Sequence, residues 1–320
     1  MVFEHVAVLL MAYGGPLSLD DVEPYLLDVR VGRPTPKTLV DKVRERYALI
    51  GGRSPLLDWT RAQAGALEHA LNETYPGMQV FVGMRHWHPY IRDVLPQIVA
   101  SGATDLIAIP MAPHYSRISV GAYRKTLEDA LAAHRHRLRV VYVERWGTEP
   151  MFVRAVAQKV HKALIAFPQD VRDQVMVAFT AHSLPQRVVD MGDPYPEELE
   201  RSARAIAQTA GLTRWRLTYQ SAGASSGPWL GPDVGDVVRE WAAMGHHHVL
   251  VVPIGFVCDH VEVLYDIDIE LKRTADQVGV HLSRTESLND DPGLIDALAS
   301  LVTRAVSASG EKERNRVRFG

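Results

Sequence analysis

Three carboxylates, Glu262, Asp266 and Glu270, recur every four residues within residues 256–270. In a helix that spacing sets them along one face. Like charges so arranged repel, and they add nothing to a helix unless a cation or water compensates. A row of hard oxygen donors suits a hydrated divalent ion passing along it. The pattern equally describes a solvated acidic face, and spacing alone does not separate the two. A second candidate is His182, in Thr180-Ala-His-Ser-Leu-Pro185. Neutral imidazole binds borderline transition metals and exchanges a proton near neutral pH. A lone histidine at a strand end is more often a hydrogen-bonded structural residue. The combination is what matters, since an imidazole beside a carboxylate ladder allows metal handling and proton removal in one place.

Such groups need strand ends and a helix to hold them. Short apolar, β-branched runs at residues 6–11, 80–83, 106–109, 140–144, 175–180, 216–220 and 249–253 read as strands. Residues 58–73, 90–101, 122–133, 150–166, 196–210 and 233–244 carry helical periodicity with polar faces. Strands apolar on both faces and alternating with helices imply parallel sheets covered on both sides. The fold class is α/β. A weak internal repeat points to two similar halves, each a parallel sheet flanked by helices. The first strand runs into Ala12-Tyr13-Gly14-Gly15-Pro16 and a later one into Ala181-His182-Ser183-Leu184-Pro185. We expect halves at 1–150 and 151–310, and a flexible, charged tail at 311–320. Ligands of open parallel sheets bind beyond the carboxyl ends of the strands. If the halves face each other, Tyr13 and His182 enter one cleft from opposite sides.

Composition narrows the function. The net charge of -3 gives no reason to expect nucleic acid as a partner. The single cysteine, Cys258, excludes an intramolecular disulfide and an all-cysteine iron–sulfur cluster, and fits a reducing cytoplasm. The opening residues lack a basic start and a cleavage site, and their apolar run is too short to span a bilayer, so a cytoplasmic chain without a transmembrane segment is expected. The glycine-rich run Gly223–Gly231 lacks the Lys-Ser/Thr of a phosphate loop and reads as a turn. His246, His247 and His248 precede a strand, where neighbouring side chains point to opposite faces and make a poor chelate.

Eight motifs in order are more specific than any of them alone. Met11-Ala-Tyr-Gly-Gly-Pro, Tyr47-Ala-Leu-Ile-Gly-Gly-Arg-Ser-Pro55, Gly83-Met-Arg-His-Trp-His-Pro89, Ala181-His-Ser-Leu-Pro185, Gly192-Asp-Pro-Tyr195, Tyr219-Gln-Ser221, Pro228-Trp-Leu-Gly-Pro-Asp233 and residues 256–270 resemble the ferrochelatases. The resemblance covers residues 5–305 and implies two Rossmann-like halves with a porphyrin cleft between them, as in the class II chelatases. It implies His182 and Glu262 as the catalytic, metal-binding pair, with Asp266 and Glu270 as an outer iron path. It implies that Tyr13 faces the macrocycle from the other side and can ligate product iron. Arg30, Arg46, Tyr47, Ser54 and Tyr123 match the porphyrin-binding positions.

The chain lacks the apolar lip and cluster-bearing extension of animal protoporphyrin enzymes, and Ala112-Pro-His-Tyr-Ser116 and Ser119-Val-Gly-Ala-Tyr123 look like the coproporphyrin III type. The expected function is therefore a lyase that inserts Fe2+ into coproporphyrin III. It needs no organic cofactor and no iron–sulfur cluster, and iron and porphyrin are its substrates. A cytoplasmic monomer with transient contacts to other heme-pathway enzymes is expected. The alternatives are a protoporphyrin IX ferrochelatase, a non-catalytic porphyrin or heme carrier, and a cobalt or nickel chelatase. The carrier would dispense with the His182–Glu262 pair, and the last usually places two histidines at the metal. A local π-type turn within the ladder is compatible with the iron path, since such bulges recur at functional sites.

Overall fold

The computed structural model describes residues 5–134, 137–223 and 227–318. Two four-stranded parallel sheets organise it. The first contains β1 (Val6–Ala12), β2 (Gln79–Met84), β3 (Asp105–Pro110) and β4 (Arg139–Tyr142) in the order β2–β1–β3–β4. The second contains β5 (Met176–His182), β6 (Trp215–Gln220), β7 (His248–Val252) and β8 (His281–Arg284) in the equivalent order β6–β5–β7–β8. The repeat read between the first strand and the His182 strand therefore corresponds to the two central strands, β1 and β5.

Their composition explains that placement. All seven residues of β1 are buried, so both of its faces need cover. Leu9 and Met11 pack outward, with Leu106 and Ala108, against the helices Ile91–Ala100 and Val120–His134. Val8 and Leu10 face the other way, into a core shared with Val177, Phe179, Leu250 and Val252 of the second sheet. Ala178, Val249 and Val251 pack outward under the helix Val234–Ala243 and the segment that carries Asp266.

Two helices join the halves. Pro150–Ile165 contributes Phe152, Val156 and Val160 to the shared core, and the last helix, Pro292–Arg318, contributes Leu294, Leu298, Leu301 and Val302. Fully burying one such leucine is worth roughly 1.5–3 kcal/mol. The last helix packs on Leu56–Asn72 of the first half as well as on Pro150–Ile165, so the chain returns to its first half at the end. That helix also takes in residues 311–318 of the stretch read above as a tail; residues 319 and 320 lie outside the described residues.

β8 and the helices Val22–Val29 and Lys37–Leu49 add to the elements read from the sequence. The glycine-rich run keeps only part of itself within the described residues, because 224–226 lie outside them. Among the described residues no helix is long and apolar enough to cross a membrane.

Candidate active site

The carboxyl ends of β1 and β5 open on a cavity of about 320 Å³. Tyr13 enters it from the first half, and His182 and Glu262 from the second. The anticipated convergence is thus present in the geometry. His182 Nε2 lies 3.4 Å from a Glu262 carboxylate oxygen, and His260 Nε2 lies 3.4 Å from the other.

His182 is the last residue of β5, in register with Gln220. Its Nδ1–H points at the Ser183 carbonyl, 2.5 Å away, which turns Nε2 towards Glu262. Tyr195 donates its hydroxyl to the His182 carbonyl at 3.1 Å. Gly255 closes the back of this strand end. A Cβ there would sit 2.6 Å from Ala181 Cβ and 2.9 Å from Ala181 Cα, so only glycine lets the following loop approach.

Glu262 belongs to a single α-helical turn, Val261–Leu264, and the chain then widens into a π-helical turn, Asp266–Leu271, before the helix Lys272–Gln277. The ladder thus crosses a π-type turn, the local widening that the sequence reading allowed for. Gln220 fastens the start of the segment to the sheet. It is buried, its Nε2 donates to the Glu262 carbonyl at 2.5 Å, and its Oε1 accepts from Thr180 at 3.1 Å. The three carboxylates sit in different settings. Glu262 lines the cavity, Asp266 is buried, and Glu270 is exposed. Asp266 accepts from the Ser221 hydroxyl and lies 3.5 Å from Arg46.

Electrostatics set these groups apart. Burial disfavours the His182 imidazolium, but the Glu262 carboxylate outweighs it and carries the His182 pKa up to about 9. Burial likewise opposes the Glu262 carboxylate, while His182 and then His260 hold it well below the usual carboxylate range. The metal-free pair is therefore an imidazolium–carboxylate pair at neutral pH. Asp266 behaves differently. Burial, with the Glu262 charge beside it, pushes its pKa to about 6 against the pull of Ser221 and Arg46. Burial first and Glu262 second raise the Tyr13 phenol to about 12.

The remaining sequence candidates divide. Tyr47, Ser54 and Tyr123 are buried and line the cavity. Arg46 lies outside the cavity lining, with its guanidinium 4.8 Å above the Tyr265 ring and paired with Asp266. Arg30 is an exposed residue that ends the helix Val22–Val29, also outside the lining. Cys258 is buried at the cavity wall, where burial raises its thiol pKa to about 12. His248 packs against His281 and Phe167, at the opposite ends of the strands from the cavity. Sequence reasoning gave no role to His260, Gln220 or Arg85. All three stood inside recognised motifs, yet only tertiary contacts show what they touch.

Two facing parallel sheets with the His182–Glu262 pair at their shared mouth define a chelatase-type fold. Among solved structures the chain resembles SirB from Bacillus subtilis with Fe3+, at a TM-score of 0.60 and 14% identity over 96% of this chain and 98% of that one. It also resembles the sirohydrochlorin chelatase SirB from Bacillus subtilis subspecies spizizenii in complex with cobalt, at a TM-score of 0.57, 13% identity, and coverage of 95% and 96%.

The Ferrochelatase family model matches residues 5–306, and the chain belongs to the ferrochelatase family. It is 48% identical to the ferrochelatase of Herpetosiphon aurantiacus, covering 93% of this chain and 98% of that protein. It is 39% identical to the coproporphyrin III ferrochelatases of Geobacillus thermodenitrificans (96% and 98% covered) and Bacillus subtilis (93% and 97% covered). Membership makes it a metal-chelating enzyme of the lyase class.

Proposed function

We propose that this chain inserts Fe2+ into coproporphyrin III in the cytoplasm, and that His182 and Glu262 carry the reaction. The observation behind the mechanism is the 3.4 Å contact of His182 Nε2 with Glu262 inside the cavity between the sheets. The 39% identity to two enzymes named for coproporphyrin III supports the choice of porphyrin.

Insertion replaces two pyrrole N–H bonds by four N–Fe bonds and releases two protons. Fe2+ arrives past exposed Glu270 and buried Asp266, each a hard oxygen donor, and meets the Glu262 carboxylate. A divalent cation beside His182 displaces the imidazolium proton to solvent, which frees Nε2 to hold the ion and, once the ion has passed to the porphyrin nitrogens, to take a pyrrole proton. Asp266, with a pKa near 6, holds the second proton briefly and returns it to solvent. Tyr13 faces the other side of the macrocycle and ligates the product iron. The porphyrin carboxylates engage Tyr47, Ser54 and Tyr123 in the lining, with Arg30 and Arg46 outside it. No step calls for an organic cofactor or an iron–sulfur cluster.

Anaerobic Fe2+ insertion into coproporphyrin III and protoporphyrin IX, followed by absorbance, tests the reading. A kcat/KM at least about tenfold higher for coproporphyrin III is expected, a difference of roughly 1.4 kcal/mol in transition-state binding. Equal values would refute the choice of porphyrin, and no turnover with either would refute the proposed reaction.

A further inference from the structure

Arg85 follows β2, and its backbone N–H donates to the Ala12 carbonyl at 2.9 Å, which sets it beside Tyr13 at the end of the neighbouring strand. It is half-buried and is the one lysine or arginine among the described residues that line the cavity. Its guanidinium has no hydrogen-bond, ion-pair or aromatic partner among the described residues.

The carboxylates nearby are committed elsewhere. Asp28 accepts from His86 Nδ1 at 2.8 Å and from the Tyr90 hydroxyl at 3.3 Å. Glu262 is held between His182 and His260. Other arginines around the cleft differ in this respect. Arg46 has Asp266, and Arg117 donates to the Met191 carbonyl at 2.6 Å. A half-buried cation with five donors and no acceptor is costly unless something entering the cavity pairs with it. The Arg85 charge is also felt at Tyr13 and Tyr123, where it opposes the larger effect of burial. Arg85 therefore lies within reach of both the residue that faces the metal and a wall tyrosine.

We propose that Arg85 is an anion subsite of the cleft, which binds a carboxylate of the incoming porphyrin and selects for porphyrins that carry one there. A guanidinium fork matches a carboxylate in two parallel hydrogen bonds, and a cation at this point repels Fe2+, so the subsite serves the porphyrin and not the metal. The two walls thus carry opposite charge, with Arg85 on the first half and Glu262 on the second. The inference deepens the reading of a carboxylated porphyrin as substrate and rests on it.

The test is a fluorescence titration of metal-free coproporphyrin III and of its tetramethyl ester against wild type, R85M and R85K, with protoporphyrin IX and its dimethyl ester alongside. R85M should weaken binding of the free acid by about tenfold or more and change binding of the ester by less than about twofold. R85K should recover part of the loss, because it keeps the charge without the fork. It also stays informative if R85M melts too low to titrate. Equal weakening of acid and ester, or an acid unaffected by both substitutions, overturns the subsite. A wild type that prefers protoporphyrin IX fails the choice of porphyrin separately, and an acid–ester difference that R85M abolishes for protoporphyrin would still support the subsite.

Discussion

Replacing Glu262 by glutamine keeps the side chain's shape and removes its charge, so it isolates what the carboxylate does to His182. With the carboxylate in place the imidazole rises from 6.5 to about 9; without it, burial is opposed only by the Ser183 carbonyl and Asp266, and the pKa falls. The rise corresponds to roughly 3 kcal/mol at 1.36 kcal/mol per unit. Because about a third of each side chain is exposed, solvent screening reduces this to roughly 1–2 kcal/mol. The folded pKa of His182 lies above the unfolded one, so the folded chain binds the extra proton. That stability is complete below pH 6.5 and is lost as the pH rises through about 9. The depressed Glu262 pKa sets the other limit, since its share is present above about 4.5 and disappears as the pH falls. Melting curves of wild type and Glu262→Gln at about pH 5.5 and about pH 10 should therefore show wild type favoured in acid, with the gap narrowing or reversing in alkali. For a chain of this size each kcal/mol moves the Tm by about 2 °C. In the same samples the His182 ring should titrate near 9 in wild type and distinctly lower in the variant, read by NMR. A gap that stays constant with pH, or a ring that titrates alike in both proteins, would refute this electrostatic argument.

Two other substitutions probe the walls of the cavity. Tyr13→Phe should remove the phenolate-to-iron absorption of the ferric product complex and weaken its binding, while insertion stays within a few-fold of wild type; an unchanged spectrum would show that the phenol does not meet the metal. Gly255→Ala should cost about 1–3 kcal/mol in calorimetry, because the new methyl meets the backbone of β5 at Ala181 and cannot turn away. It should also lower kcat by shifting His182, and a stability within about 0.5 kcal/mol of wild type would contradict the close approach.

The parts of the molecule that could be read from the sequence are those in which local pattern and tertiary role coincide. β1 is a seven-residue apolar run buried on both faces, and no other element suits that composition. His182 was visible because it ends such a run, and Glu262 because its spacing to Asp266 and Glu270 recurs. β8 was not visible, since His281-Leu-Ser-Arg buries only Leu282 and lies at the sheet edge. The acidic ladder allowed for a π turn but did not show where the helix widens, because a change of helix type leaves residue types unaltered. Arg46 has an ion-pair partner 220 residues away. Arg85 matters for the partners it lacks, and a missing partner leaves no mark in the chain order. The resemblance placed the motifs, but which arginine reaches the cavity is a property of the folded wall.

The central claim is that His182 and Glu262 together take up Fe2+ and deliver it to a porphyrin bound between the two sheets. It is tested most directly by anaerobic single-turnover insertion with the porphyrin already bound, in wild type, His182→Ala and Glu262→Ala. Both variants should still bind coproporphyrin III, and both should lose insertion by about a hundredfold or more, the scale of a removed general base or metal ligand. Insertion within about threefold of wild type in either variant, with the porphyrin bound, would contradict the account.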